Sequence, residues 1–158
     1  MIPPPPVVVE RDLEAPPGAV FAALTEPARL DRWFFTVHEV WPGPGGRYRI
    51  EWHSAGDAAR NHSRYGAYLD FEPPHRLAFE WQGPQLECIP ATRVSITLDE
   101  LPGSRTHFLL VHDRWPEGWD ELRGNHLEGW NFYADSLARY LAGAEDVRGK
   151  RFGQVVRS

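Results

Sequence analysis

Six short segments fill the middle of the chain and read as strands: Thr36–Trp41, Arg47–His53, Arg64–Phe71, Arg76–Gln82, Thr92–Leu101 and Thr106–His112. Several alternate with period two. Tyr48, Ile50 and Trp52 share one face, and Arg47, Arg49 and Glu51 the other. Leu77, Phe79 and Trp81 oppose Arg76, Ala78 and Glu80, and Val94, Ile96 and Leu98 oppose Arg93, Ser95 and Thr97. Strands patterned in this way set one face on a core and the other on water. Parallel neighbours would need long crossovers between the strands. The links here are turn chemistry instead: Pro42-Gly43-Pro44-Gly45-Gly46, Pro73-Pro74-His75 and Pro102-Gly103-Ser104. Such links join antiparallel neighbours. Ser54 to His62 forms a longer polar loop.

The flanks complete the pattern. Pro3 to Pro6 cannot enter a regular helix and form an extended lead-in to a first strand, Val7 to Leu13. Pro16-Pro17 stops that strand, and the second proline suits the first turn of a helix. Val20, Phe21 and Leu24 recur at helical spacing, and Pro27 starts a second short helix through Leu30 to Phe34. From about Trp119 to Ala142 one long helix carries Leu122, His126, Trp130, Tyr133, Leu137 and Leu141 on a single stripe, with Gly143 as terminator. The expected architecture is α+β: a curved antiparallel sheet of about seven strands around the C-terminal helix, with two short helices after the first strand. Residues 1–6 are the lead-in, 7–143 a single domain and 144–158 a charged tail.

Composition narrows the function. A net charge of -5 lacks the basic face that nucleic acid requires. Of the 17 basic residues only Lys150 is lysine, a bias that gives the arginines no special chemical weight. Cys88 is alone, which rules out an internal disulfide or a cysteine-based zinc site. Neither a signal-like leader nor a membrane-length apolar run occurs, so a cytoplasmic protein without membrane insertion is expected. Seven Trp, five Tyr and eight Phe are rings enough to line a pocket as well as fill a core.

The order of elements and a set of local sequences resemble the START-like (SRPBCC, birch-pollen-allergen-like) superfamily, whose fold is the helix grip. Within it the chain is similar to the family named for the C-terminal domain of the activator of the heat-shock-protein-90 ATPase. The matching sequences are Ala15-Pro16-Pro17-Gly18-Ala19-Val20-Phe21, Leu24-Thr25-Glu26-Pro27, Leu30 with Trp33-Phe34, and Gly45-Gly46-Arg47-Tyr48. Further along they are Gly66-Ala67-Tyr68-Leu69, Pro73-Pro74-His75-Arg76-Leu77, Phe79-Glu80-Trp81, and Gly129-Trp130 through Leu137 to Tyr140-Leu141. The resemblance implies a cavity between sheet and long helix. Its lining would be Trp33 at the mouth and, further in, Tyr48, Ile50, Trp52, Tyr68, Phe79, Trp81, Phe108, Leu110, His112, His126, Trp130 and Tyr133.

The expected function is binding of an apolar or aromatic small molecule, or a lipid-like ligand, in that cavity. The alternatives are a cyclase- or hydrolase-type enzyme acting in the same cavity, and a chaperone-linked interaction module tied to the stress response, as the family name suggests. No catalytic residue, metal ligand or cofactor is assigned: no His-Glu-x-x-His, nucleophile elbow or phosphate loop occurs. His107 and His112 should face opposite ways on one strand, while His112 and His126 point inward. A homodimer through a sheet edge or the Trp115–Trp119 region is a further expectation.

Overall fold

The structure, a computed structural model, describes residues 3–35, 37–53 and 61–144. Thr36, most of the loop after His53 and the tail from Glu145 lie outside the described residues.

Strand β1 (Val7–Leu13) leads into helices α1 (Pro17–Thr25) and α2 (Pro27–Trp33). Then follow β2 (Val37–Trp41), β3 (Arg47–Trp52), β4 (His62–Glu72), β5 (Arg76–Trp81), β6 (Thr92–Leu101), β7 (Arg105–Asp113) and helix α3 (Asp120–Leu141). A single turn of 3-10 helix, Pro84–Leu86, sits between β5 and β6 and has no counterpart in the pattern read from sequence. The seven strands make one sheet in the order β1-β7-β6-β5-β4-β3-β2, every pairing antiparallel. This is the helix-grip fold.

The prolines set the short helices. Pro16 is the N-cap of α1, with Pro17 in the first turn; Glu26 ends α1 and begins α2, whose first residue is Pro27. A missing N–H at these positions removes a donor that had no intrahelical acceptor. Trp33 Nε1 donates to Ala23 O at 2.9 Å and ties α2 to α1. Ser136 Oγ donates to Trp33 O at 2.9 Å and ties α3 to the end of α2. At the far end of α3, Gly143 takes a φ of +94°. There the Gly143 N–H donates to Tyr140 O, and the Ala144 N–H to Arg139 O. Only a residue free to enter the left-handed region closes a helix in this way.

Register sets which side chains meet under the helix. Val7 faces His112, His112 faces Val94, and Val94 faces Phe79, whose other neighbour is Tyr68. On β4 the inward positions are Arg64, Gly66 and Tyr68, all buried, with Arg64 opposite Ile50 and Gly66 opposite Tyr48. Gly66 answers a close approach, since a Cβ there would stand 2.4 Å from Glu80 O. A bulge between Tyr68 and Asp70 interrupts the β4–β5 ladder and bends the sheet where it turns around the helix. Among the described residues no helix is long and apolar enough to cross a membrane.

Candidate functional site

Helix α3 buries its C-terminal half, from Trp130 to Leu137, and parts from the sheet along its N-terminal half. The opening is a cleft of about 370 Å³ lined by Phe34 and Phe35, by His62 and Arg64 of β4, by Trp81 of β5, and by Leu122, Asn125, His126, Gly129, Trp130 and Tyr133 of α3. That volume lies in the lower part of the range for small-molecule sites, about 300–1,000 Å³. A wider hollow on the outer face of α3, bordered by Gly124, Leu127 and Asp135, is open surface and encloses nothing.

Of the residues expected to line a cavity, Trp81, His126, Trp130 and Tyr133 come together here. Tyr48, Ile50, Tyr68 and Phe79 surround a void of only about 30 Å³. Trp33, Phe108 and Leu110 border another of about 40 Å³. Spaces of that size hold a few water molecules and fall far short of small-molecule sites, so these side chains act as core. Trp33 sits in the interior rather than at a mouth, only 4% exposed. Trp52 is fully buried behind Phe35, the ring centroids 6.5 Å apart. His112 is fully buried beneath the cleft floor.

The two inward histidines hold the aromatic walls. Trp81 Nε1 donates to His126 Nε2 at 3.0 Å, and His126 Nδ1 lies 2.9 Å from Leu122 O. An indole N–H only donates and a carbonyl only accepts. His126 is therefore neutral with its proton on Nδ1. Trp130 Nε1 donates to His112 Nδ1 at 3.0 Å, which places the His112 proton on Nε2, 2.7 Å from Thr92 Oγ1. Trp115 Nε1 adds a bond to His112 O at 2.9 Å. The result is two neutral imidazoles, 5.4 Å apart, each anchoring one tryptophan. Trp81 and Trp130 meet with centroids 5.0 Å apart, and Phe34 stacks on Trp130 at 6.0 Å.

Electrostatics agrees with this assignment. Burial, with the charge of Arg64 nearby, lowers the His126 pKa to about 4. Burial, then His126 and Arg64, push His112 well below its ordinary value. Between about pH 6.5 and pH 4 the unfolded chain takes up protons that the native imidazoles refuse, so stability falls with pH across that window. The His126 shift alone is worth on the order of 3 kcal/mol. His107, raised by its bond to Asp12, acts with the opposite sign at the surface. Urea midpoints measured at pH 7.5, 6 and 4.5 should fall steadily, and the fall should be smaller in His126→Gln. An equal fall in both proteins would contradict the assignment.

Sequence reading missed Phe34, Phe35, His62, Arg64, Leu122, Asn125 and Gly129 as lining residues. Phe35 holds φ at +37°, a region an aromatic residue rarely enters. That turn puts Phe34 and Phe35 side by side, centroids 4.6 Å apart, where a regular strand would send them to opposite faces. Composition gives Arg64 no more weight than the other arginines. Its alternation with Tyr68 on β4 was the available signal.

Several comparisons bear on this geometry. The family model described as activator of Hsp90 ATPase homolog 1-like protein matches residues 14–142. No curated protein matches in sequence. Among solved structures, CalU16 from Micromonospora echinospora is 25% identical, with 86% of this chain and 75% of that one covered at a TM-score of 0.67. DynU16, a protein of the dynemicin biosynthetic locus, is also 25% identical, covering 92% of this chain at a TM-score of 0.75; the match spans 50% of DynU16. The Aha1 dimer from Colwellia psychrerythraea, 19% identical, covers 89% of this chain and 96% of its own at a TM-score of 0.68, a likeness of fold alone.

Proposed function

The chain belongs to the activator of Hsp90 ATPase homolog 1-like family, and on that premise we propose that it is a binding module for a flat, largely apolar small molecule held in the cleft between α3 and β4–β5. The observation that carries this reading is the fixed aromatic wall. Trp81 and Trp130 are each oriented by a hydrogen bond to a neutral histidine, so the rings stand ready without a ligand to arrange them. Flat aromatic surfaces held in this way suit offset or edge contacts with a planar ligand. The likeness to a protein of a biosynthetic locus supports a small molecule as the occupant.

The imidazoles favour binding over acid–base chemistry. Both nitrogens of His112 and of His126 are engaged in bonds that shape the wall. A catalytic base must reach the proton it removes, and neither ring can do so without releasing its tryptophan. Native mass spectrometry tests the reading. Protein offered two- and three-ring aromatic compounds should carry one extra small-molecule mass that denaturation releases. A chain that keeps its sequence mass throughout such a panel would contradict it.

A further inference from the structure

Arg64 is a guanidinium at an inward position of the sheet, 91% withdrawn from solvent on a 9% relative exposure, and it lines the cleft. Among the described residues no carboxylate lies within ion-pair distance of it; the nearest approaches are neutral. Nη1 donates to Ser63 O at 2.7 Å and to Gln85 Oε1 at 3.1 Å. The guanidinium carbon sits 5.8 Å from the centre of the Trp81 ring. Nε and Nη2 donate to no described residue.

The surroundings are built around this side chain. Gly83 packs against the Ser63–Arg64 segment, for a Cβ there would stand 2.6 Å from Ser63 O, 2.8 Å from Arg64 Nη1 and 3.2 Å from its Cδ. Gln85 and the Ser63 carbonyl fix one edge of the guanidinium, and Trp81 covers its face. The other edge, Nε with Nη2, is the pair that grips a carboxylate with two parallel hydrogen bonds. A buried charge with no counter-charge costs several kcal/mol and is rarely kept without reason. An arginine stays protonated even so, and its field is felt at His112 and His126.

We infer that the cleft selects aromatic ligands that carry a carboxylate, the acid lying on Nε and Nη2 of Arg64 and the rings against Trp81 and Trp130. The inference rests on the cleft being a ligand site and adds the chemical class of its occupant. Phenolic or neutral ring compounds of the same size fill the walls without answering the charge.

Calorimetric titration with 2-naphthoate and its neutral counterpart 2-naphthamide separates the two claims. The wild-type protein should bind the acid at least about tenfold more tightly, the scale of one charge-assisted hydrogen bond. Arg64→Met should bring the two affinities within about threefold, and Arg64→Lys should restore part of the difference, because a point charge replaces the fork. Near-ultraviolet circular dichroism establishes that each variant is folded. If Arg64→Met fails to fold, the wild-type ratio alone decides. Equal binding of acid and amide by the wild type, or an acid preference that survives in folded Arg64→Met, overturns the inference and leaves the cleft reading standing. Binding of neither compound removes the cleft reading and this inference with it.

Discussion

Gly129→Phe should abolish binding of a two-ring aromatic such as 2-naphthamide, with affinity reduced at least about thirtyfold, while the protein melts no lower than wild type. Gly129 faces the cleft from the middle of α3, and a Cβ built on it meets nothing within 4 Å. A phenyl group at that position therefore enters the space proposed for the ligand without displacing backbone. The helix should not suffer. Glycine inside a helix costs about 1 kcal/mol relative to alanine, and phenylalanine recovers roughly half of that. Gly129→Ala should gain nearly the full 1 kcal/mol, read as a higher urea midpoint. The position thus gives up helix stability and keeps an opening. Isothermal titration with the plugged variant checks the account, and affinity within threefold of wild type would place the ligand elsewhere.

His112→Leu should destabilise the protein by about 2–4 kcal/mol. The side chain is fully buried, and leucine matches its bulk without its nitrogens. Two partners lose a bond: the Trp130 N–H, which donates to Nδ1 and is left unpaired, and the Thr92 hydroxyl, which accepts from Nε2 and keeps only its 3.4 Å bond to Trp81 O. Both side chains are buried, and a buried polar group left unpaired costs about 1–3 kcal/mol. The Trp115 bond is made to the His112 carbonyl and survives. Equilibrium urea unfolding at pH 7.5 measures the loss; a change below about 1 kcal/mol would show that His112 merely fills space. Trp81→Ala is a poorer probe of binding than its place on the wall suggests. It removes a ring that is 4% exposed, and such truncations cost about 3–5 kcal/mol through the cavity they leave.

Much of the architecture is legible in the sequence because it is local. Turn residues at Gly43–Gly46 and Pro73–His75, alternation along Val94 to Leu98, and the stripe from Leu122 to Leu141 each specify an element and the face it buries. The site is less legible, because it depends on where two elements part. Tyr48, Phe79, Phe108 and Trp81 share one inward face, yet only Trp81 borders the cleft; the others close over voids too small for a ligand. That division follows from the seating of α3, fixed by contacts such as Ser136 to Trp33 that no periodicity reports. Phe35 enters through a left-handed backbone turn, which sequence patterns do not show at a phenylalanine. Arg64 was masked by a chain that uses arginine almost everywhere it needs a cation. Tyr65 and Tyr68, on opposite faces of β4, hid which side was inward until Gly66 paired with Tyr48.

The central claim is that a ligand lies against Trp81 and Trp130, and indole N–H nuclear magnetic resonance tests it most directly. The seven tryptophan side chains sit in distinct settings, from the buried pair on the cleft wall to Trp41, 61% exposed on the edge strand. On titration with 2-naphthamide the Trp81 and Trp130 indole signals should move together and saturate, while Trp41 stays fixed. Movement of Trp41 with the wall signals unchanged, or no movement at all, would contradict the account.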